Sequence, residues 1–335
     1  MKKIVVLLIN LILLSVSTIY AQKVIKLGII GLDTSHSPAF IKHINTDNPK
    51  PEFKGFKVVA AYPYGSRSIQ SSLDRIPGYI EEAKANGVKI TSSIAELLEQ
   101  VDCVFLETND GNLHLEQAIE VFKAGKIVFI DKPIGSDLPQ SIAIYQLAKK
   151  YNVPVFSSSA LRFVPQNQDL RAGKMGKILG ADCYSPAMNE SSHADFFWYG
   201  IHGVETLFTI MGTGCKTVSC MGTSGADVAV GVWDDGRIGT FRGVRDGLHS
   251  FGGTAFCDKK IEPVGGYDGY ERLLTSILVF FKIKVPPVTE QETMEIYTFM
   301  EAANESKRNG GMPVKMEDIY NKAMSEANKL IKMQK

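Results

Sequence analysis

The stretch Ile25-Lys-Leu-Gly28-Ile-Ile-Gly31-Leu-Asp-Thr-Ser35-His36-Ser37 decides the fold. An apolar, β-rich run ends in glycines, and a helical pattern opens directly behind it. A dinucleotide-binding fold needs glycines after its first strand, so that the backbone turns tightly and pyrophosphate can approach amides at a helix N-terminus. Gly28 and Gly31 fit as the first and second glycines of a relaxed G-x-x-G form, and a third glycine is not present. Ser35 and His36 stand where hydroxyl and cationic contacts to phosphate are expected, with Thr34 and Ser37 as further hydroxyls. The alternative is that Asp33, Ser35 or Ser37 caps the helix.

From Lys23 to about Ser158 short β-rich runs alternate with helical patterns. Strands are expected at Ile25–Ile30, Lys57–Tyr62, Cys103–Glu107, Ile127–Ile130 and Val155–Ser158. Helices are expected over Ile94–Gln100, Leu113–Ala124 and Ser141–Tyr151, with Leu115, Ala118, Ile119 and Phe122 at helical spacing. Such alternation implies an α/β Rossmann-like, doubly wound parallel sheet. After Phe163 strands follow one another: Ile178–Tyr184, Thr217–Cys220, Val228–Trp233 and Ile238–Arg242, with Asp234-Asp235-Gly236 as a hairpin turn. Helical patterns follow at Tyr270–Phe281, Glu290–Ser306 and Met316–Met333. The second part is therefore expected to be an α+β domain with an open, mainly antiparallel sheet. The expected division is 1–21 signal peptide, 22–160 dinucleotide-binding domain, 161–315 substrate and oligomerisation domain, and 316–335 a helix returning to the first domain.

The N-terminus reads as a secretory signal. Lys2-Lys3 precede an apolar run from Ile4 to Leu14, and Ala21 closes a cleavable stretch. No twin arginine occurs there, so export by the general route to the periplasm or medium is expected, with no stable membrane span after cleavage; the alternative is an uncleaved anchor. With 335 residues, 44% hydrophobic and 22% charged, the chain has the balance of a globular protein, and its net charge of +1 gives no reason to expect nucleic-acid binding. Cys103, Cys183, Cys215, Cys220 and Cys257 are an odd set, of which Cys215 and Cys220 are candidates to pair across a turn. No C-x-x-C or His/Cys cluster supports a metal site, so none is expected.

The second strand run ends Ala61-Tyr-Pro-Tyr-Gly65-Ser66-Arg67, without the acidic residue that usually binds ribose hydroxyls. Ser66 and Arg67 suit a 2′-phosphate, which favours NADP; an ordinary exposed turn is the alternative. Further on, Asp102-Cys-Val-Phe-Leu-Glu-Thr108-Asn109-Asp-Gly-Asn-Leu-His114 resembles the D-x-V-x-x-x-T-P-N-x-x-H segment of the Gfo/Idh/MocA (glucose-fructose oxidoreductase / inositol dehydrogenase) family. Asp131-Lys132-Pro133 is similar to its E-K-P signature, with Asp for Glu. Ser157-Ser-Ser-Ala-Leu-Arg162-Phe163 resembles its R-R-F segment, and Trp198-Tyr199-Gly200-Ile-His202-Gly-Val-Glu205 its D-x-G-x-H-x-x-D segment, with Trp198 at the first Asp. Val285-Pro-Pro-Val-Thr-Glu-Gln-Glu292 and Ala302 to Ser306 resemble its closing helices, so the likeness runs over nearly the whole mature chain.

The resemblance implies NAD or NADP as cofactor and a sugar or polyol-like substrate oxidised or reduced by hydride transfer. It implies Lys132 and His202 as catalytic groups, and Thr108, Asn109 and His114 at the cofactor beside Gly28, Gly31, Ser35, His36, Ser66, Arg67 and Lys132. Arg162, Asp195, Trp198 and Tyr199 are the candidate substrate contacts. His193 or Asp195 is the candidate replacement for the missing Asp, and Trp233 is either a sugar platform or core. The resemblance also implies that the open sheet packs against another subunit, as a homodimer or homotetramer. Two further readings stay open: a glycoside-cleaving enzyme that oxidises its substrate transiently with bound NAD, and a redox-inactive protein that binds a sugar-like ligand.

Overall fold

The computed structural model describes residues 24–334; the signal peptide expected over residues 1–21 lies outside the described residues. The first half is built from β1 (Ile25–Ile30), α1 (His36–Asn45), β2 (Phe56–Tyr62), α2 (Gln70–Ala85), β3 (Lys89–Ile90), α3 (Ile94–Leu98), β4 (Cys103–Leu106), α4 (Gly111–Lys123), β5 (Ile127–Ile130), α5 (Leu138–Lys150) and β6 (Val155–Phe156). All six strands are parallel, in the order β3-β2-β1-β4-β5-β6. The central strands are apolar throughout because helices cover both faces; every residue of β4 and β5 is buried. β6 stops at Phe156, two residues earlier than its pattern suggests, and Ser159 then caps a 3-10 turn over Ala160–Phe163. α4 starts at Gly111 rather than Leu113 because the Asp110 side chain accepts the Asn112 amide as an N-cap.

The second half contributes α6 (Pro165–Arg171), β7 (Ile178–Pro186), α7 (Asp195–Trp198), α8 (Ile201–Met211), β8 (Cys215–Gly222), β9 (Ala226–Trp233), β10 (Ile238–Val244), β11 (Gly252–Cys257), β12 (Ile261–Val264), α9 (Glu271–Ile283), α10 (Glu290–Arg308), β13 (Val314–Lys315) and α11 (Met316–Met333). Its sheet runs β12-β11-β7-β10-β9-β8-β13, antiparallel except for the β7–β10 pair. β11 and β12 escape sequence pattern because they are short, and glycines open one while Pro263 interrupts the other. One face of this sheet packs on α8 and α10. Trp233 is part of that buried face, with its indole N–H donated to the Gly212 carbonyl, so it is core and not a sugar platform. All five cysteines are free and buried; Cys215 and Cys220 do not pair.

The two halves share their cores. α9 lies on the first sheet, where Phe281 meets Phe105 at 5.2 Å and Phe280 meets Phe156 at 4.9 Å between ring centres. α11 packs along α5. Arg162, in the 3-10 turn between the halves, is 3% exposed and ion-paired through Nε to Glu205 of α8 at 2.6 Å and through Nη1 to Glu292 of α10 at 2.7 Å. Arg171 completes the cluster with a two-pronged contact to Glu292 at 2.7 and 2.8 Å. Arg162 is therefore a structural clamp and not the substrate contact anticipated, because both its neighbours are carboxylates of this chain and no surface is left for a ligand. A second tie comes from the loop before α7, where His193 Nε2 accepts the Gly111 amide at 3.0 Å.

Two outcomes follow. Arg162→Met leaves Glu205 and Glu292 buried with less compensation, and urea unfolding is expected to show a loss of about 3–5 kcal/mol; a loss below about 1 kcal/mol would show that the clamp is not needed. Burial holds the His193 imidazole down at about 4, against the pull of Asp110. The unfolded chain takes that proton near its ordinary value, so between the two values it binds more protons than the fold. This contribution is full above about pH 6.5, declines as pH falls toward about 4, and is worth ~3 kcal/mol. In His193→Gln, whose amide oxygen still accepts from Gly111, that part of the acid decline is expected to vanish; an identical decline in both proteins would assign it elsewhere.

Candidate active site

In the first sheet Ile30 of β1, Leu106 of β4 and Ile130 of β5 stand side by side. The ladder runs one step past the strands: the Glu107 amide donates to the Ile30 carbonyl at 2.7 Å and the Asp131 amide to the Leu106 carbonyl at 2.8 Å. Gly31, Glu107 and Asp131 therefore form one row along the carboxyl edge, beside the place where strand order reverses, which is where open α/β sheets bind ligands. Gly31 has φ +91°, and a Cβ there would lie 2.5 Å from the Thr108 amide nitrogen, so no other residue fits. Gly28 is three residues back inside β1, against Leu97 and Val101. It serves strand–helix packing, which corrects its expected place in the turn.

The turn after Gly31 is filled by the chain itself. Asp33 is fully buried, and its carboxylate accepts the Asn109 amide at 3.0 Å and the Ser66 amide at 3.3 Å. It thereby joins the loops after β1, β2 and β4. Burial pushes its carboxyl up to about 6 despite those amides. Gly65 packs directly on this carboxylate, and a Cβ would overlap it. None of Asp33, Ser35 and Ser37 caps α1: Ser37 donates to the Gly31 carbonyl and Ser35 shares a hydrogen bond with the Tyr270 hydroxyl at 2.9 Å. Ser66 is buried and its hydroxyl accepts the Ser68 and Ile69 amides, which leaves Arg67 as the open member of that pair. A cavity of about 320 Å³ lies there, lined by Tyr62, Tyr64, Arg67, Ser68, Asp110 and Gln117 among others.

His36 does not reach outward as a phosphate cation. It is buried at the first turn of α1, with Nδ1 3.3 Å from Glu107 and 3.1 Å from Asp131. Burial alone would lower its pKa; Asp131 and then Glu107 overcome that and hold it at about 10. Burial and the neighbouring Asp131 push Glu107 up to about 7, while His36 and Lys132 hold Asp131 down at about 2 against its own burial. Sequence reading missed this trio, because its members come from three βα junctions and no local spacing links them.

His114 is fully buried, with Nε2 2.7 Å from the Thr108 carbonyl and Nδ1 3.3 Å from that of Ile134. Burial keeps it neutral. It ties two loops together and makes no surface for a cofactor, contrary to expectation. Asn109 is committed through its amide to Asp33 and through its side chain to Ser72 at 3.0 Å, and the Thr108 hydroxyl is buried without a partner.

Lys132 follows Asp131 at the end of β5, before a cis bond to Pro133. Its ammonium lies 5.9 Å from the Tyr199 ring centre. The Tyr199 and His202 rings meet edge to face at 5.2 Å. His202 Nδ1 is 2.7 Å from the Ser159 hydroxyl, and burial, with Lys132 adding to it, keeps the imidazole neutral. Lys132, Tyr199 and His202 are thus brought together from both halves of the chain. The two candidates for the missing Asp are not: His193 serves Gly111, and Asp195 pairs with Lys307. Ser159 is the partner in their place. Trp198 sits against the His193 ring at 4.9 Å and is partly exposed.

Comparison with known proteins agrees with this fold. Residues 25–159 match the family model described as the oxidoreductase family, NAD-binding Rossmann fold. An uncharacterized oxidoreductase of Streptococcus pneumoniae is 34% identical over 83 residues, 24% of this chain and 22% of that protein. The rhizopine catabolism protein MocA of Rhizobium meliloti is 26% identical over 105 residues, 30% of this chain and 33% of that protein. The matched stretches thus span a third or less of these two relatives. A probable dehydrogenase from Thermotoga maritima superposes with TM-score 0.71 at 21% identity, over 88% of this chain and 99% of that one. The scyllo-inositol dehydrogenase of Lactobacillus casei with bound NAD(H) and scyllo-inositol superposes with TM-score 0.69 at 18% identity, over 88% of this chain and 100% of that one. These two likenesses carry the fold across both halves. Over residues 25–159 the chain is therefore similar to the Gfo/Idh/MocA oxidoreductase family and carries its NAD-binding Rossmann fold.

Proposed function

We propose that this protein is an exported NAD(P)-dependent oxidoreductase that acts on a CH–OH group of a sugar or polyol. The observation that carries the reading is the convergence of Lys132, Tyr199 and His202 at the carboxyl edge of the parallel sheet. A nicotinamide dinucleotide would lie along the carboxyl edge with its adenosine half in the cavity beside Arg67, where Tyr62, Tyr64 and Arg67 would hold it. When bound, the nicotinamide supplies the hydride acceptor or donor. Ser66 is spent on its own turn, so preference for a 2′-phosphate rests on Arg67.

The chain's own groups handle the oxygen and its proton. Ser159 Oγ accepts the Leu161 amide, which frees its hydroxyl hydrogen for His202 Nδ1. With that hydrogen given to Nδ1, the neutral imidazole carries its proton on Nε2 and would donate it to the substrate oxygen. In the reducing direction the Lys132 ammonium holds the same oxygen and gives it a proton as hydride arrives; in the oxidising direction the neutral Lys132 amine takes that proton from the hydroxyl. Tyr199 and Trp198 present ring surface to the apolar face of a sugar. The outward face of the second sheet carries Leu179, Tyr184, Val232, Ile238, Phe256 and Ile261, all exposed. We infer that a second copy of the chain covers it, giving a homodimer or a homotetramer.

Titration calorimetry with NAD and NADP is the first test, and binding of neither would remove the redox reading. Lys132→Met is expected to lower kcat on a responsive sugar or polyol by about 10²–10⁴-fold while cofactor affinity stays within a fewfold. An unchanged kcat would remove Lys132 from the mechanism. For the assembly, sedimentation of Val232→Lys with Ile238→Lys is expected to give monomer where the unmodified chain gives dimer or larger; a monomeric unmodified chain would refute the interface.

A further inference from the structure

We propose that His36, Glu107 and Asp131 hold a divalent transition-metal ion at the carboxyl edge of the first sheet. The three donor atoms all lie within 4.8 Å of one another. The His36 Nδ1 separations of 3.3 Å to Glu107 Oε2 and 3.1 Å to Asp131 Oδ1 match neighbouring donors around an ion that binds each at about 2.0–2.2 Å. Solvent does not stabilise the charges: the side chains of Glu107, Asp131 and His36 are 0%, 1% and 7% exposed.

The second observation is that these contacts are not hydrogen bonds. His36 Nδ1 and both Glu107 carboxylate oxygens are buried without a hydrogen-bond partner. Buried carboxylates are almost always satisfied by donors. Here the imidazole nitrogen comes close to two carboxylate oxygens but is aligned with neither. The positions are rigid. Glu107 and Asp131 are set by amides that continue the β-ladder, and Asp131 Oδ1 also accepts the Lys132 amide at 2.8 Å. The His36 ring is held between Phe40, at 5.6 Å, and the edge of Tyr270, at 4.4 Å.

One imidazole and two carboxylates suit Zn²⁺, Mn²⁺, Fe²⁺ or Co²⁺ better than Ca²⁺ or Mg²⁺, which take oxygen donors. Three protein ligands leave coordination positions open for an oxygen of a bound molecule, next in the chain to Lys132. The site does not depend on nicotinamide chemistry, since its ligands are complete without a cofactor.

The full chain, stripped with chelator and dialysed, is titrated with Mn²⁺ followed by electron paramagnetic resonance, with Co²⁺ followed by its visible bands, and with Zn²⁺ by calorimetry. One equivalent per chain with micromolar or tighter affinity is expected for at least one ion. Glu107→Gln and His36→Gln, each checked for folding by circular dichroism, are expected to weaken it by at least about 100-fold. The Co²⁺ spectrum of the unmodified chain reports nitrogen ligation without any variant. Failure of all three ions to bind stoichiometrically would overturn the proposal, as would binding that Glu107→Gln leaves unchanged. Cofactor titration is read separately, so loss of nicotinamide binding and loss of ion binding are distinguishable.

Discussion

The parallel register of β1, β4 and β5 is the constraint on which the rest depends. Parallel strands with helical crossovers bring every carboxyl end to one edge, and the register sets which residues stand next to each other there. Because Ile30, Leu106 and Ile130 align, the residues one step further meet in a single row. That row contains a glycine and two acids, and the lysine of the proposed reaction follows the second acid. A one-residue slip of any of these strands would turn the acids into the apolar layers, so the buried hydrophobic faces also protect the site.

The second half matters through what it lays across that edge. α8 brings His202, and the Arg162 clamp holds Ser159 and α8 in register through Glu205, which accepts both the Ser158 hydroxyl and the Ser159 amide. Buried ion pairs give little net stability compared with apolar packing of the same volume, because desolvation offsets the attraction. Their value here is geometric: a cation between two carboxylates on different helices fixes the approach of the two halves within hydrogen-bond tolerance. His193 and His114 do the same for the loops, each held neutral by burial so that a ring nitrogen serves a backbone group.

Asp33 shows how a phosphate turn can be rebuilt. A carboxylate fully enclosed among three loops takes up amides that would otherwise need a ligand or water. Gly65 is required beside it for a steric reason and has no positive φ. The turn keeps the backbone path of a dinucleotide fold while its inner surface is lined by acids and a histidine, which gives this edge a different charge from one made of glycines and bare amides.

The sequence alone determined five of the six strands of the first sheet and the helices α3, α4 and α5, because hydrophobic period and glycine punctuation are local properties; β3 and α2 were not legible in it. β1, β5 and α11 begin and end where their patterns do. It also singled out Gly31, Lys132, Tyr199 and His202, each from a short segment with its own chemistry. The tertiary structure decided what those segments meet. It turned Arg162, His114, Ser66 and Asp195 to this chain's own partners, placed α9 on the first sheet, and set His36 between Glu107 and Asp131. Such pairings depend on strand order and crossover geometry. Residues far apart in the chain become neighbours only once the sheet has closed, and no spacing along the chain encodes that distance.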